Sequence, residues 1–290
     1  MATSIIIVNY NTKTLLDNCI NSIYRTQTDS KFEIIVVDNN SSDNSTDLKK
    51  IYPEVIWIEN KENKGFGYAN NQGVEISKYE NIFLLNSDTI LEENIINKLE
   101  FVCNKDKNCG GISPKILYED KSIQNTYGNY PTVKFFWLNA FKIISLLPNS
   151  INEKLLIGQP VTFTEIKEVP HILGVAMFLK KEAFKAVNGF DTNFFLYFEE
   201  TDLCDRISKK GYKFYVMPNI YVIHLLSKSS PNSLFKIKQL NKSLLYYFRK
   251  RDIPHKSLYL LLSIKLIIYS ITNRDIRFFK LIKNLFKYDS

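Results

Sequence analysis

The chain has 290 residues, of which 45% are hydrophobic and 23% charged, the composition of a globular protein that can bury a sizeable core. Its formal net charge is +8, but residues 228–290 hold 14 Lys and Arg against 3 Asp, which leaves the rest slightly acidic. This distribution argues against a nucleic-acid enzyme with a basic cleft and indicates a tail that faces an anionic surface such as a membrane.

The cysteines and the hydropathy pattern narrow the type of protein further. Cys19, Cys103, Cys109 and Cys204 have neither a C-x-x-C pair nor zinc-ligand spacing, so we expect reduced, mostly buried thiols in a cytosolic chain. The first residues lack the charged region and cleavage site of a signal peptide. Since no apolar run reaches the ~18 residues of a membrane-spanning helix, none is predicted.

The first ninety residues alternate buried strands with helices. Strands are predicted at 4–8, 32–37, 55–59 and 82–85, and helices at 14–26, 47–52 and 66–77. Strands joined through a helix by short loops form βαβ units, which pair in parallel. The sequence therefore predicts an α/β fold.

Polar residues follow two of these strands directly. Asp38 comes after the second strand, and Asn86, Ser87 and Asp88 come after the fourth. Open α/β sheets bind ligands at the carboxyl ends of their strands, and a carboxylate oxygen suits Mg2+ or Mn2+. The alternative is that Asp38 accepts hydrogen bonds from its own loop, and that 86–88 form a turn and helix cap.

A glycine-containing loop at 63–67 precedes the predicted helix at 66–77. Gly65 and Gly67 allow close backbone approach, the helix start offers amide donors to an anion, and Lys64 adds positive charge. The alternative is a simple turn. The spacing is neither a Walker nor a Rossmann fingerprint, so neither an ATPase nor a dehydrogenase is indicated.

The second half of the chain is less regular. A helix is predicted at 93–104, a variable insertion over the sheet at about 115–168, a strand at 172–179, and helices from 180 and at 199–207. Strands at 213–217 and 221–224 follow, the second ending in His224. Glu199, Glu200 and Asp202 open the 199–207 helix; the helix dipole alone explains Asp202 and one glutamate, because acids favour the first turn.

Taken together, these pieces resemble the inverting family 2 glycosyltransferases with the GT-A fold, most closely their rhamnosyltransferase-like branch. The matching pieces are 4–11, 36–43, 63–67, 85–88, 189–191, 195–206 and His224. The resemblance implies a Rossmann-like, mostly parallel sheet flanked by helices, with a catalytic domain at 1–227 and a C-terminal helical appendage at 228–290.

The resemblance also implies a donor site and a metal site. The residues that it places against the nucleotide-sugar donor are Val8, Tyr10, Asp38, Lys64, Gly65, Asn86, Ser87 and Asp88. Asp88 matches the last acid of the family's D-x-D signature, which ligates Mn2+ or Mg2+, while Asn86 replaces the first acid. His224 matches the histidine that completes the metal site; its alternative is a histidine packed at a strand end.

Inversion needs one carboxylate to take the proton from the acceptor hydroxyl, and positive charge on the leaving diphosphate. The resemblance favours Glu200 as the base, with Glu199 and Asp202 as lesser candidates. The family usually has Glu-Asp where this chain has Glu199 and Glu200, and Glu reaches one methylene further.

The implied reaction moves a sugar from dTDP-rhamnose or a UDP-sugar to a hydroxyl of a glycan or lipid-linked glycan, in synthesis of bacterial cell-surface polysaccharide, without a nucleic-acid partner. Two alternatives stay open: a nucleotidyltransferase that makes nucleotide-sugars, and a non-catalytic sugar-binding homologue. The first would carry a glycine- and arginine-rich loop after its first strand, where this chain has 9–13.

The tail has apolar residues at spacings of three and four among basic ones, over 233–251, 258–271 and 277–288. Such amphipathic basic helices lie in a membrane interface. We therefore expect a cytoplasmic protein that is peripheral on the inner face of the plasma membrane. The alternative is a helical cap packed on the domain or on a second subunit, as in a homodimer.

Overall fold

The computed structural model describes residues 2–226, 233–272 and 274–285, and within these ranges the chain has an α/β fold. The strands are β1 (Ala2–Asn9), β2 (Lys31–Asp38), β3 (Ile56–Glu59), β4 (Asn81–Asn86), β5 (Thr89–Ile90), β6 (Cys109–Leu117), β7 (Asn125–Gly128), β8 (Gln159–Pro160), β9 (Lys167–Val169), β10 (His171–Ile172), β11 (Ala176–Lys180) and β12 (Lys213–His224). The α-helices are α1 (Lys13–Thr26), α2 (Phe66–Ile76), α3 (Ile96–Lys105), α4 (Val133–Ala140), α5 (Asn149–Leu155), α6 (Lys181–Lys185), α7 (Glu199–Ser208), α8 (Ser233–Lys250), α9 (Lys256–Thr272) and α10 (Arg277–Leu285). Short 3-10 helices cover Ser45–Lys50 and Ile143–Leu146.

The main sheet has the strand order β3-β2-β1-β4-β11-β6-β12-β5, with β9 also paired to β12. Strands β1 to β4, β6 and β12 run in one direction, and β5, β9 and β11 run against them. A separate antiparallel sheet has the order β10-β7-β8. The predicted α/β fold with a mostly parallel sheet flanked by helices is confirmed.

Both faces of the main sheet are covered, because successive residues of a strand face opposite sides. On β1, Ile5 and Ile7 pack in one core cluster with residues of α1 and α3, whereas Ile6 packs in another with residues of α2, α6 and α7. All three isoleucines are fully buried. The continuous apolar runs that predicted the strands therefore belong to strands buried on both faces.

The strand register brings polar strand ends to one edge of this sheet. Asn9 pairs with Asp38 at the ends of β1 and β2, and Asn86 ends β4 on the other side of β1. His224 ends β12, where it pairs with Thr89 of β5. Since these strands except β5 run in the same direction, their carboxyl ends form one edge, where α/β sheets bind ligands.

The structure differs from the predicted elements at several points after residue 88. The two strands predicted at 213–217 and 221–224 form one strand, β12, whose pairing with β6 shifts register between Met217 and Tyr221. Pro218 lies in this interval and has no amide to donate to a ladder, which explains the gap in the pattern. The two-residue strand β5 was not predicted, and α3 begins at Ile96 rather than at residue 93.

The chain divides into two compact units. The first consists of residues 1–130, 157–193 and 199–229, and the second of 131–156, 194–198 and 230–290. The predicted insertion at about 115–168 is thus shared between them, and the tail forms a unit with 131–156 instead of by itself. The predicted domain boundary at 227/228 lies outside the described residues.

The second unit has its own apolar core. Leu244 and Phe248 of α8 pack with Leu258 and Leu262 of α9 and with Leu281 of α10, and all five are buried. The part of the predicted apolar face of α8 that holds Leu244 and Phe248 is therefore covered by neighbouring helices of its own unit, whereas Leu240 is 41% exposed. Among the residues described, no helix combines the length and the apolar character needed to cross a membrane.

Candidate functional site

The carboxylate of Asp38 organises the loop after β2. Its Oδ1 accepts hydrogen bonds from Nδ2 of Asn9 at 2.7 Å and from Oγ of Ser41 at 2.6 Å, and its Oδ2 accepts from the amide of Ser41 at 2.9 Å. Asp38 is buried. Because a carboxylate has about four acceptor positions, these loop contacts leave room for a further donor.

The loop after β1 connects this end of the sheet to the end of β4. Oγ1 of Thr12 donates to Oδ1 of Asn9 at 2.6 Å and lies 2.9 Å from Oγ of Ser87. Thr12 and Ser87 are both buried. Tyr10, in contrast, is 37% exposed beside these strand ends, where its ring is available to a ligand. Val8 is half-buried on β1.

A tight turn joins β4 to β5 and presents Asp88. Oγ1 of Thr89 donates to the carbonyl of Asn86 at 2.7 Å, which closes the turn. The amide of Asn86 donates to the carbonyl of Val175 at 3.0 Å, and the carbonyl of Asp88 accepts from the amide of Leu225 at 2.8 Å. The turn is therefore fixed to the segment before β11 on one side and to the residue after β12 on the other.

Asp88 and His224 meet at this edge, although 136 positions separate them in the chain. Oδ1 of Asp88 lies 3.2 Å from Nε2 of His224, and both residues are buried. The other ring nitrogen of His224, Nδ1, lies 3.0 Å from Oε1 of Gln124. Among residues 2–226, 233–272 and 274–285, no group of three or more His, Cys, Asp or Glu side chains could hold a metal ion. The chain thus offers one carboxylate and one imidazole as candidate ligands.

An open cavity of about 660 Å³ adjoins this pair. It is lined by His224 and Leu225 at the end of β12 and by Tyr118, Glu119, Asp120 and Ser122 of the turn after β6. The cavity gives a ligand access to the His224 side chain from the carboxyl end of the sheet.

The two glutamates that begin α7 occupy a low-polarity environment. Burial raises the pKa of Glu199 well above its ordinary value, with a further rise from the charge of Glu200, and burial also raises the pKa of Glu200. Oε2 of Glu199 has no hydrogen-bond partner among the described residues. Such environments favour the protonated carboxyl and make its anion a stronger base.

The side chain of Glu200 lies close to the end of β4. A Cβ atom placed on Gly174 would be 3.6 Å from both Cβ and Cγ of Glu200. Gly174 precedes Val175, whose carbonyl accepts the hydrogen bond from Asn86 described above. Glu200 therefore packs on the segment that is bonded to the turn carrying Asp88.

The backbone enters α7 in an unusual conformation. Tyr197 and Phe198 have φ angles of 72° and 68°. Two consecutive non-glycine residues in the left-handed region each cost on the order of 1–3 kcal/mol. Strain of this kind is concentrated at functional sites.

The predicted glycine loop carries a well-formed helix start. Gly65 has a φ of 97°, which glycine adopts without strain, and α2 begins at the next residue with no side chain capping its amides. Nζ of Lys64 lies 3.2 Å from Oε1 of Glu62, and this hydrogen bond raises the pKa of Lys64. The Lys64 side chain is 47% exposed, so it is free to turn toward a ligand.

Comparison with known proteins identifies the family. Residues 4–185 match the profile of glycosyl transferase family 2, and residues 162–227 match that of the N-terminal domain of galactosyltransferase. The chain belongs to glycosyl transferase family 2. The resemblance inferred from the sequence motifs is therefore confirmed.

Two relatives and one solved structure show the range of similarity to this family 2 chain. The low-salt glycan biosynthesis hexosyltransferase Agl10 of Haloferax volcanii is 27% identical over 72% of the chain and 62% of that protein. The rhamnosyltransferase WbbL of Escherichia coli K12 is 24% identical over 79% of the chain and 87% of that protein. The crystal structure of GalNAc-T7 with UDP, GalNAc and Mn2+ is similar at a TM-score of 0.62 and 15% identity, over 82% of this chain and 48% of that one. This likeness confirms the GT-A fold, and the chain spans less than two thirds of the hexosyltransferase and of GalNAc-T7.

One of the predicted candidate bases of this glycosyltransferase does not fit its role. Asp202 is fully buried, and its Oδ2 accepts a hydrogen bond from Nε of Arg206 at 2.7 Å. Nη1 of Arg206 also donates to the carbonyl of Val187 at 2.6 Å. A carboxylate with no exposed surface and an arginine partner cannot reach an acceptor hydroxyl, so Asp202 supports α7. The candidate bases are thus Glu200 and Glu199.

The structure also adds residues that the motifs did not single out. Side-chain hydrogen bonds of Asn9, Thr12 and Ser41 surround and extend from Asp38. Gln124 bonds the ring of His224. Asn9 and Ser41 lie within the matching motifs and could have been selected by their type. Gln124 lies in the region of about 115–168 that the sequence did not order, so nothing in the pattern marked it.

Proposed function

We propose that this glycosyltransferase is inverting and metal-dependent, and that it moves a sugar from a nucleotide-diphosphate donor to a hydroxyl of a glycan acceptor. The observation that carries the proposal is the 3.2 Å approach of Asp88 and His224 at the carboxyl edge of the sheet. Glu200 packs on the segment bonded to the same turn. A candidate base, a candidate metal site and the polar ends of the first two strands thus share one edge.

The donor set fits a divalent cation. Oδ1 of Asp88 and Nε2 of His224 are ligand types that Mn2+ accepts, and their 3.2 Å separation allows one ion to contact both. A metal held there would neutralise charge on the leaving diphosphate. The GalNAc-T7 structure with UDP, GalNAc and Mn2+ supports the expectation of a divalent metal.

The residues of the chain can perform a single displacement. Glu200 takes the proton as the acceptor oxygen bonds to the anomeric carbon of the donor, while the bond from that carbon to the diphosphate oxygen breaks and its electron pair leaves with the nucleoside diphosphate. The raised pKa of Glu200 suits a base that must hold this proton. The free amides at the start of α2 and the exposed Lys64 are placed to receive negative charge on the diphosphate.

The donor that we propose is dTDP-rhamnose or a UDP-sugar, and the acceptor a glycan or lipid-linked glycan in synthesis of bacterial cell-surface polysaccharide. The rhamnosyltransferase WbbL and the hexosyltransferase Agl10 support this substrate class. Asp38 and Tyr10 would contact the nucleoside. The same relatives argue against the alternatives of a nucleotidyltransferase and of a non-catalytic homologue.

We further propose that the tail binds the inner face of the plasma membrane, where a lipid-linked acceptor would be found. Leu260, Ile264 and Ile268 are 60%, 41% and 51% exposed on α9, at the spacing of four that places them on one face. The excess of Lys and Arg in residues 228–290 would attract anionic headgroups. This face belongs to the second of the three amphipathic segments predicted for the tail, 258–271.

The test measures sugar transfer by the purified protein through release of nucleoside diphosphate. The unmutated chain should release nucleoside diphosphate from one of these donors in the presence of Mn2+ and should give a product of inverted anomeric configuration, read by NMR. Asp88→Ala should lower turnover by at least about 100-fold without unfolding the chain, whereas Asp47→Asn, at an exposed acid paired with Lys13, should not. Full activity of Asp88→Ala would refute the metal role, and a retained configuration would refute inversion.

A further inference from the structure

Gln124 makes two hydrogen bonds to one residue, His224. Nε2 of Gln124 donates to the backbone carbonyl of His224 at 3.0 Å, and Oε1 of Gln124 lies 3.0 Å from Nδ1 of the imidazole. Both residues are buried, at 6% and 8% exposure. The fold uses neither contact to continue a strand or a helix, which leaves the orientation of the imidazole as their common effect.

The two contacts fix where the hydrogens lie. A backbone carbonyl can only accept, so the amide NH2 of Gln124 must face the carbonyl of His224, and Oε1 must then face the ring. Since Oε1 can also only accept, Nδ1 of His224 must carry the hydrogen. A neutral imidazole with its hydrogen on Nδ1 has a lone pair on Nε2.

In the neutral ring this lone pair faces a second acceptor, whereas an imidazolium would donate a hydrogen from Nε2 to Asp88. Nε2 of His224 and Oδ1 of Asp88 are 3.2 Å apart, and a carboxylate oxygen has no hydrogen to offer. In the alternative tautomer, with the hydrogen on Nε2, the same approach would be an ordinary hydrogen bond between imidazole and carboxylate. That bond would occupy both atoms that are candidates to hold a cation.

The backbone of Gln124 is itself well anchored. Its amide donates to the carbonyl of Ile116 at 2.9 Å, and the preceding Ile123 forms a bridge with Leu117 at the end of β6. Leu117 in turn pairs with Ile223, next to His224 on β12. Gln124, in the segment just before β7, and His224, at the end of β12, are therefore both held against the end of β6, which keeps the amide beside the ring.

We infer that Gln124 is a positioning residue that holds His224 in the tautomer whose Nε2 lone pair faces Asp88, so that the pair receives a divalent cation instead of closing on itself. This inference rests on the metal role proposed above. Hydrogen-bond partners of metal-binding histidines typically change metal affinity by about 10- to 100-fold when removed. Loss of Gln124 should therefore weaken Mn2+ binding by that factor.

Two variants separate this role from simple support of the fold. Gln124→Met keeps the size but removes both hydrogen bonds. Gln124→Glu keeps an acceptor opposite Nδ1 but loses the donor to the carbonyl of His224. If Gln124 only ties its own segment to the end of β12, Gln124→Glu should lose as much Mn2+ affinity as Gln124→Met. If Gln124 selects the tautomer, Gln124→Glu should keep most of the Mn2+ affinity.

Mn2+ binding is measured by electron paramagnetic resonance with saturating UDP and, separately, dTDP, without any turnover. We expect Gln124→Met to raise the Kd for Mn2+ by about 10- to 100-fold and Gln124→Glu to stay within about fivefold of the unmutated chain. In a His224→Ala background, Gln124→Met should have no further effect, because the residue acts through the ring. Melting temperatures of the metal-free variants show that they are folded.

A second readout follows the ring directly. Nitrogen-15 spectra of the metal-free protein at mildly alkaline pH should show the hydrogen of His224 on Nδ1, and Gln124→Met should move it to Nε2; His224→Ala assigns the signal among the 3 histidines. Unchanged Mn2+ affinity in Gln124→Met, or a Glu variant as weak as Met, would overturn the inference while the metal role stands. If the unmutated chain binds no Mn2+ with either nucleotide, both fall.

Discussion

Asp202 separates support of the fold from proton transfer. It is fully buried and pairs with Arg206 one helical turn later; the side chain of Arg206 is 22% exposed and keeps a second bond to the carbonyl of Val187. Removing one partner of a buried ion pair costs ~3–5 kcal/mol. Because Arg206 reaches solvent and retains one acceptor, we expect Asp202→Ala to lower the free energy of unfolding by about 2–3 kcal/mol.

The expected result is a stability change without a catalytic one. For a chain of this size, that loss corresponds to a fall in melting temperature of about 3–5 °C, which differential scanning calorimetry measures. Initial rates taken well below the transition should match those of the unmutated chain. The matched control is Asp205→Ala on the same helix, because Asp205 pairs with an exposed Lys209 and its loss should cost under about 1 kcal/mol.

The opposite pattern would refute this reasoning. If Asp202→Ala keeps the melting temperature of the unmutated chain but loses turnover, then Asp202 does not act by stabilising the fold through Arg206. Asp202 would then again be a candidate base.

The remaining predictions concern the glutamates and the tail. Glu200→Gln should lower kcat by about 100- to 10,000-fold with unchanged folding. In the unmutated chain, the acid limb of the pH–rate profile should lie above the ordinary carboxyl range, because the base must lose its proton and the pKa of Glu200 is raised. Because the pKa of Glu199 is raised, the folded chain holds a proton that the unfolded chain releases as the pH rises; Glu199→Gln should therefore raise the melting temperature at neutral pH, with the difference vanishing below about pH 4. Replacing Leu260, Ile264 and Ile268 together by Glu should release the protein from anionic liposomes in a flotation assay.

Each of these has its own control and contrary outcome. Glu200→Asp, which shortens the reach by one methylene, should recover part of the lost turnover; a fully active Glu200→Gln would remove the proposed base. A Glu199→Gln variant that melts lower at neutral pH would contradict the assigned burial penalty. For the tail, Ile51→Glu changes an exposed apolar residue of the first unit and should leave liposome binding unchanged. If the α9 variant floats with liposomes as well as the unmutated chain does, this face does not contact the membrane.

Strands β1 to β4 could be predicted from the sequence because each is a continuous apolar run. Ile5, Ile6 and Ile7 are all fully buried, so the pattern of the sequence is the pattern of burial, and the polar residue that ends each run marks the sheet edge. The positions of the strand ends follow from local pattern plus the rule that parallel strands end at the same edge. The approach of Asp88 and His224 was expected from the family resemblance, which assigned both residues to the metal site.

The chain after residue 88 was harder to predict because its structure depends on contacts between residues far apart in the sequence. The two residues of β5 carry no periodicity, and they form a strand since β12 lies beside them. Residues 131–156 belong with a tail some hundred positions away, a grouping that no local composition announces. The inferred role of Gln124 depends on its contact with the imidazole of His224, 100 positions later in the chain.

The side chains of Asn9, Thr12 and Ser87 form a buried polar bridge from the Asp38 end of the site to the turn that carries Asp88. Under the proposed function, a nucleoside at the first end and a diphosphate at the second would be held at a spacing that this bridge helps to fix. Thr12→Ala would remove the link between Asn9 and Ser87, and binding of a whole donor should then fall more than binding of its separate fragments.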